Sequence, residues 1–138
     1  MIRRVFVEKK AGYDTVRQKK QAEIESALGV KFAGMRMLIR YDIEGMDDED
    51  YDRAKVTIFS EPPVDTLYEE SAPLGGVVIG VELLPGQYDQ RADSAAQCVQ
   101  LLTRKTRPLI RTAVIYAFEG AAPDLRPALE KAHLLPKD

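Results

Sequence analysis

The two halves of this chain resemble each other, and this internal repeat constrains the fold more than any other feature of the sequence. The segment VEKKAGYD at residues 7–14 resembles VELLPGQYD at residues 81–89, which carries one inserted residue. Further along, RYDIEG at 40–45 resembles IYAFEG at 115–120, at a spacing of 75 residues. Because self-similarity at a fixed spacing marks a repeated structural unit, the sequence predicts a duplicated fold.

Both halves also share one alternation of apolar and polar residues. In the first half the alternate positions hold Met35, Met37, Ile39, Tyr41 and Ile43. The positions 75 residues later hold Ile110, Thr112, Val114, Tyr116 and Phe118. A period of two is typical of a strand with one buried face, so we expect two related strands here.

Each half is predicted to fold as strand, helix, strand and helix. The strands are expected near 2–9, 35–44, 77–84 and 109–118, and the helices near 14–28, 48–59, 90–103 and 124–134. The repeats cover about 2–62 and 77–136, and a short strand, VDTLYEE, is predicted in the connector at 63–76. We therefore predict one α+β domain over 1–138, with two pseudo-twofold-related β-α-β-α units and a mainly antiparallel sheet covered by helices.

Composition and charge exclude several classes of protein. Of the 138 residues, 45% are hydrophobic and 30% are charged, which is typical of a soluble globular protein. The formal net charge of −2 provides no general attraction to nucleic acid, so we expect no nucleic-acid partner. No apolar run has the length of a membrane span, and the chain begins in a strand pattern rather than a signal peptide. The single cysteine favours a reducing compartment, and we predict a cytoplasmic location without membrane contact.

The residue types needed for metal binding or catalysis are scarce. One histidine, His133, and one cysteine, Cys98, cannot form a His/Cys metal cage or a Ser–His–Asp arrangement. The acidic run DDEDYD at 47–52 lacks the glycine and the final glutamate of a calcium loop, and a solvated helix start is expected instead. Cys98 lies close to an apolar helical stripe, so we expect a buried thiol. We predict no catalytic residue and no metal site.

The turn and helix start at 85–98, PGQYDQRADSAAQC, form the remaining candidate site. Asp89 is expected to cap the helix, as Asp14 does in the first half, and an anion at this helix start is the less favoured interpretation. After Asp14 the chain reads TVRQKKQ, a charged helix face, whereas after Asp89 it reads QRADSAAQC, with short side chains. We infer that this second helix is specialised as a contact surface. The predicted inter-domain contact residues are Gln87, Tyr88, Asp89, Gln90, Arg91, Asp93, Ser94 and Gln97.

Four segments resemble one family. RRVFVEKKAGYD, RYDIEG, TIFSEPPVD and above all LPGQYDQRADSAAQC are similar to the N-terminal, PurS-like domain of large single-chain phosphoribosylformylglycinamidine synthases. The resemblance covers essentially the whole chain, with the motifs in the family's order. Ala11 departs from the family, where a proline is expected, as Pro85 stands in the second half. This departure bears on the stiffness of the turn.

The resemblance implies a part in purine biosynthesis. The full enzyme is a ligase that uses ATP, magnesium and ammonia from glutamine, and its N-terminal domain is like a fused dimer of the small PurS-type subunit. That domain binds no cofactor itself and is expected to couple the synthetase and glutaminase domains of the same enzyme, which would be its partners. The C-terminal segment EKAHLLPKD looks like the start of a linker, so we expect the natural chain to continue.

Two alternatives remain open from the residues alone. One is a stand-alone small-molecule-binding or regulatory α+β module, with a ligand between the two halves. The other, an independent enzyme, has less support because no paired catalytic groups can be named. A domain separated from its partners would expose apolar surface, which favours self-association.

Overall fold

The computed structural model describes residues 2–121 and 124–131 and shows an α+β fold with five antiparallel strands and four helices. The strands are β1 (Ile2–Lys9), β2 (Gly34–Glu44), β3 (Asp65–Glu69), β4 (Val77–Glu82) and β5 (Leu109–Glu119). The helices are α1 (Thr15–Leu28), α2 (Asp48–Ala54), α3 (Gln90–Thr103) and α4 (Leu125–Lys131). The predicted fold class and the short connector strand are confirmed.

The sheet has the order β3-β1-β2-β5-β4, which places the two longest strands side by side at its centre. Strand β2 pairs with β5 along its full length, and Ile39 lies opposite Val114. Val114 is also the residue 75 positions after Ile39. A twofold axis between these two residues would produce this pairing. The register thus agrees with a duplicated unit, although the repeat itself stays a prediction.

Two predicted element ends were wrong. Helix α2 ends at Ala54, short of the expected residue 59, because the chain turns to bury Phe59. The hydroxyl of Thr57 donates to the carbonyl of Arg53 at 2.7 Å, and the Ser60 hydroxyl donates to a nearby carbonyl in the same way. Side chains that bind helix carbonyls compete with continued helix. Strand β4 ends at residue 82, not 84, and the end of the predicted helix at 124–134 lies outside the described residues.

All four helices lie on one face of the sheet. Helix α3 shares a buried cluster with Val5 of β1, Ile43 of β2 and the α2 residue Tyr51. Helix α1 contributes Ile24 to a second cluster, formed with strands β2, β4 and β5 and helix α4. Each long helix lies nearest to a strand of its own half, α1 to β2 and α3 to β5, and the side-chain clusters beneath them extend to strands of the other half.

The opposite face of the sheet is partly covered by the connector between β3 and β4. Ala72 and Leu74 pack against a small buried cluster that contains Leu38. The Arg36 guanidinium donates to the Pro73 carbonyl at 2.6 Å and fixes this crossing. Gly76 ends the crossing at φ +76°, where an added Cβ would lie 2.2 Å from the Phe118 carbonyl oxygen. Only glycine fits this close approach.

The two long helices pack on the sheet by different side chains. The inward positions of α3 are Ala92, Ala95, Ala96 and Val99, and all four are buried. The positions 75 residues earlier, in α1, are Arg17, Lys20, Gln21 and Ile24, of which only Ile24 is buried. Alanines allow α3 to lie close to the strands, whereas the longer polar side chains hold α1 further away. This difference leaves open space beneath α1.

A leucine introduced at two related positions tests this difference. We expect Ala96→Leu to lower the free energy of unfolding by about 1–3 kcal/mol, because the added atoms overpack the contact of α3 with the sheet. The matched change in α1, Gln21→Leu, should alter it by less than about 0.5 kcal/mol. Urea unfolding followed by circular dichroism measures both values. Equal losses in the two variants would show that both helices are packed equally tightly.

Candidate functional site

The space between α1 and α3, above the centre of the sheet, forms a groove with two clefts. The larger cleft, of about 740 Å³, lies beside the β1–α1 turn, and the smaller one, of about 530 Å³, lies beside the β4–α3 turn. They are lined by related residues: Val7, Asp14 and Ile39 in the larger cleft, and Val81, Asp89 and Val114 in the smaller. Arg91 lines both. We call the two clefts together the central groove.

The larger cleft has an apolar floor and mixed walls. Strand β2 supplies the floor with Met37, Ile39 and Tyr41, and Phe59 adds an aromatic wall. The buried carboxylate of Asp65 accepts a hydrogen bond from the backbone N–H of Glu61 at 2.8 Å. Lys9 Nζ lies 2.9 Å from the other oxygen of Asp65, which is an ion-pair distance without hydrogen-bond geometry. The charge of Asp65 is therefore already compensated.

Two buried tyrosines, Tyr41 and Tyr116, lie on the face of the central strands that carries the helices. Tyr41 is 9% exposed and Tyr116 is 8% exposed, and they occupy related positions in β2 and β5. Burial raises the pKa of both phenols, and the positive charge of Arg91 is close enough to oppose the rise in each. Within the described residues neither hydroxyl forms a hydrogen bond, and neither is a fully buried atom left without a partner. Tyr41 and Arg91 line the larger cleft, whereas Tyr116 is not among the lining residues of either cleft.

Sequence reasoning identified Arg91 but missed Tyr41, which lines the larger cleft. The strand alternation places Tyr41 and Tyr116 on the buried stripes of the central strands, which is correct. One signal was available, because tyrosine stands at the same position of both repeats. A residue that ends in a polar group and recurs on two apolar stripes requires a partner for that group.

The carboxylate of Asp89 has a structural role, because it accepts hydrogen bonds from two neighbouring elements. Its carboxylate accepts from the backbone N–H of Ala92 at 2.9 Å, which confirms the predicted helix cap. It also accepts from the backbone N–H of Thr112 at 3.0 Å and from the Thr112 hydroxyl at 2.9 Å, so it fastens α3 to β5. The matching prediction for Asp14 was wrong. Asp14 caps no backbone N–H and instead accepts from the side chains of Arg17 and Gln18.

Three more of the predicted contact residues stabilise the turn before α3. The Tyr88 hydroxyl donates to Asp93 Oδ2 at 2.6 Å, and Arg107 forms an ion pair with the same carboxylate. These hydrogen bonds hold the pKa of Asp93 below its usual value, and the bond to Asp93 raises the pKa of Tyr88. The side-chain oxygen of Gln87 accepts from the backbone N–H of Leu84 at 2.7 Å.

The remaining predicted residues, Gln90, Ser94 and Gln97, form an exposed stripe along α3. Their spacing of four and three residues places them on one side of the helix, and Leu101 follows on that side with 79% of its surface exposed. We call these four residues the outer stripe. It faces away from the alanines of α3, which are buried against the sheet. The interpretation of those alanines as an outward contact face was therefore wrong.

The expectation of a buried Cys98 was also wrong, because its thiol is exposed. The inward side of α3 carries Ala92, Ala95, Ala96 and Val99. Cys98 precedes Val99 on the helix and therefore points away from that side. In the part of the chain that the structure describes, no three His, Cys, Asp or Glu side chains form a group that could hold a metal ion. His133 lies outside that part.

No family model, curated protein or solved structure matches the chain. Within residues 2–121 and 124–131, none of the helices combines the length and the apolar character needed to cross a membrane.

The two aspartates before the long helices provide a matched test of the site's framework. We expect Asp89→Ala to lower the free energy of unfolding by about 2 kcal/mol, because it removes a helix cap and leaves the N–H of Thr112 without its partner. Asp14→Ala loses only side-chain contacts near the surface, and its effect should stay below about 0.5 kcal/mol. Thermal and urea unfolding measure both. A loss in Asp14→Ala as large as in Asp89→Ala would contradict this assignment.

Proposed function

We propose that this chain is the N-terminal, PurS-like domain of a phosphoribosylformylglycinamidine synthase and acts in the cytoplasm in purine biosynthesis. In this role it contributes no catalytic group. ATP and magnesium bind to the synthetase part of the full enzyme, and glutamine is hydrolysed by the glutaminase part. The domain holds these two parts in the geometry that couples ammonia release to amidation of formylglycinamide ribonucleotide.

One structural observation carries this proposal. The strands β1-β2-β5-β4 are arranged symmetrically about the β2–β5 pair, and the two buried clusters under the helices each contain residues of both halves. A fused dimer of small β-α-β-α subunits would have this organisation, since two copies would join through their central strands. The organisation agrees with what the sequence resemblance implies. This observation supports the proposed architecture of the domain. The proposed contact residues are supported by the exposed side chains of α3.

The outer stripe of α3 is the surface that best fits a contact with another domain. Leu101 exposes a large apolar side chain, and three small or amide side chains on the same side of the helix provide hydrogen-bond donors and acceptors. Interfaces of moderate size combine an apolar centre with a polar rim in this way. Asp89 and Asp93 hold the start of the helix through their hydrogen bonds, and Tyr88, which is 70% exposed, is open to a partner beside the stripe.

A synthase that lacks its own N-terminal domain provides the test. Adding the 138-residue chain should restore glutamine-dependent formation of formylglycinamidine ribonucleotide. We expect Leu101→Glu to reduce the restored rate at least about tenfold, because a charge at the centre of an interface must be desolvated. Val30→Glu changes an exposed apolar residue outside the outer stripe and is the matched control.

Two results would contradict the proposal. The first is a folded chain that neither binds the truncated synthase nor restores turnover. The second is equal restoration by the Leu101→Glu and Val30→Glu variants, which would remove the outer stripe from the contact. Circular dichroism of each variant establishes that the fold is intact.

The central groove favours a second candidate function, a stand-alone small-molecule-binding module. Its larger cleft has the volume of ordinary ligand sites and combines an apolar floor with a few polar groups. A thermal-shift screen with nucleotides, amino acids and purine intermediates separates the two candidates. A large shift with one ligand, together with no binding to a synthase, would favour the second.

A further inference from the structure

We propose that the outer edge of β4 is a strand-pairing site, filled by an extended segment of the same polypeptide that follows α4. The segment runs antiparallel to β4 and repeats the residue pattern of β3. This inference goes beyond the proposed function. It rests on the internal repeat and on the pairing observed in the sheet, and it does not require the coupling role.

Strands β1 and β4 occupy equivalent places in the two halves of the sheet. Val7 of β1 lies opposite Ile39, and Val81 of β4 lies opposite Val114. Val81 and Val114 stand 74 and 75 positions after Val7 and Ile39, so both strands pair with the centre in the same register. Their outer edges differ, because β3 covers the edge of β1 and no strand within residues 2–121 and 124–131 covers the edge of β4.

The pairing of β1 with β3 shows which backbone groups face outward. The N–H of Lys10 donates to the Val64 carbonyl at 2.8 Å, and the N–H of Glu70 donates to the Arg4 carbonyl at 2.7 Å. Backbone groups along a strand point alternately to its two sides. Every second residue from Arg4 to Lys10 therefore directs its N–H and C=O groups to β3.

Three residues of β4 direct the same groups to its open edge. Counted by the repeat, they are Val78, Gly80 and Glu82. In the part of the chain that the structure describes, no hydrogen bond joins their backbone groups to a strand on that side. A row of unpaired N–H and C=O groups is a template for the addition of a strand.

The composition of β4 is that of a strand with a neighbour on each side. Val77, Val78, Ile79 and Val81 are β-branched, the only charge is on Glu82 at the end, and the strand contains no proline or lysine. Soluble proteins usually protect an exposed edge with charges, prolines or a very short strand. β3, at the opposite edge of the sheet, has five residues with an acidic residue at each end. β3 thus has the features of a final strand, which β4 lacks.

The first half also shows what kind of segment the site accepts. β3 presents Leu67 to the cluster under the helices and Tyr68 to the cluster on the opposite face. At the β4 edge the equivalent side chains would lie opposite Val81 and Gly80. Because Gly80 has no side chain, an aromatic ring opposite it can cover the strand. The repeat assigns this segment to the polypeptide after α4, since β3 follows α2.

A synthetic peptide with the β3 sequence, PVDTLYEES (residues 63–71), tests the site on the 138-residue chain. We expect saturable binding with a Kd of about 1 mM or tighter. In ¹⁵N NMR spectra the amide signals of Val78, Gly80 and Glu82 should shift, and their hydrogen exchange should slow about tenfold at saturation. The amides of β1 should keep their exchange rates, because the chain's own β3 occupies that edge.

Two N-methylated peptides distinguish strand pairing from other contacts. The backbone groups of Tyr68 face β1, whereas those of Leu67 face away from it. A methyl group on the Tyr68 nitrogen blocks the ladder and should weaken binding at least about tenfold. The same group on the Leu67 nitrogen points to solvent and should change binding less than about twofold, because no ladder hydrogen bond is lost.

Two variants of the protein make the complementary test. Val78→Pro removes an outward N–H while leaving the ladder to β5 intact, since edge strands tolerate proline, and it should weaken peptide binding at least about tenfold. Val78→Thr keeps the N–H at a similar size and should bind the peptide like the wild type. Circular dichroism establishes that both variants fold. If Val78→Pro does not fold, the two N-methylated peptides decide the question.

The natural polypeptide that includes the residues after 138 tests the source of the strand. In that chain the amides of Val78, Gly80 and Glu82 should already be protected, and the added peptide should not bind. Peptide binding with the affinity of the 138-residue chain would show that the occupant comes from another molecule and would overturn the assignment to the same polypeptide.

Three results with the 138-residue chain would also overturn the proposal. They are no saturable binding up to about 10 mM peptide, equal binding of the two N-methylated peptides, and protection of the β4 amides by concentration-dependent self-association, which would make a second copy the occupant. Peptide binding without restoration of a truncated synthase would support this inference and contradict the coupling role. Restoration without peptide binding would defeat this inference and leave the coupling role intact.

Discussion

The antiparallel pairing of β2 with β5 is the contact on which the rest of this structure depends. Each strand has 11 residues, and the ladder between them is the only direct strand pairing that joins the two halves in the described sheet. A slip of one residue would turn the apolar side chains of one strand to the other face. The helix layer, the central groove and the cover of the opposite face all require the observed register.

The two long helices pack on the sheet differently, so the helix layer is not the same over the two halves. Alanines hold α3 against the strands, and the longer side chains of Arg17, Lys20 and Gln21 leave room under α1. The larger cleft lies on the side of the molecule where this space under α1 is found. Arg91 stands where the first half has Val16, and it lines both clefts, whereas Arg17 of α1 lines the larger cleft alone.

Much of the fold follows from the sequence, and the limits have physical causes. The alternation from Met35 to Ile43 predicted β2 and its buried face, and the capping by Asp89 predicted where α3 begins. The end of α2 could not be predicted, because it depends on hydroxyl bonds to helix carbonyls and on the burial of Phe59. For the candidate site, the sequence identified the residues around α3 but did not predict the direction in which each side chain points. The direction of a helical side chain depends on which neighbour the helix packs against, and this is a tertiary property.

The connector between the halves has a consequence for how such a fold could arise or be divided. Ala72 and Leu74 belong to the buried cover of the sheet, and Gly76 passes the Phe118 carbonyl in contact that leaves no room for a side chain. A chain cut at this connector would lose part of its core as well as its covalent link. The two separate pieces would then lose translational freedom when they associate. The linked chain avoids this cost, because the link keeps each half at a high effective concentration near the other. In this protein the connector therefore contributes to the buried core as well as linking the two halves.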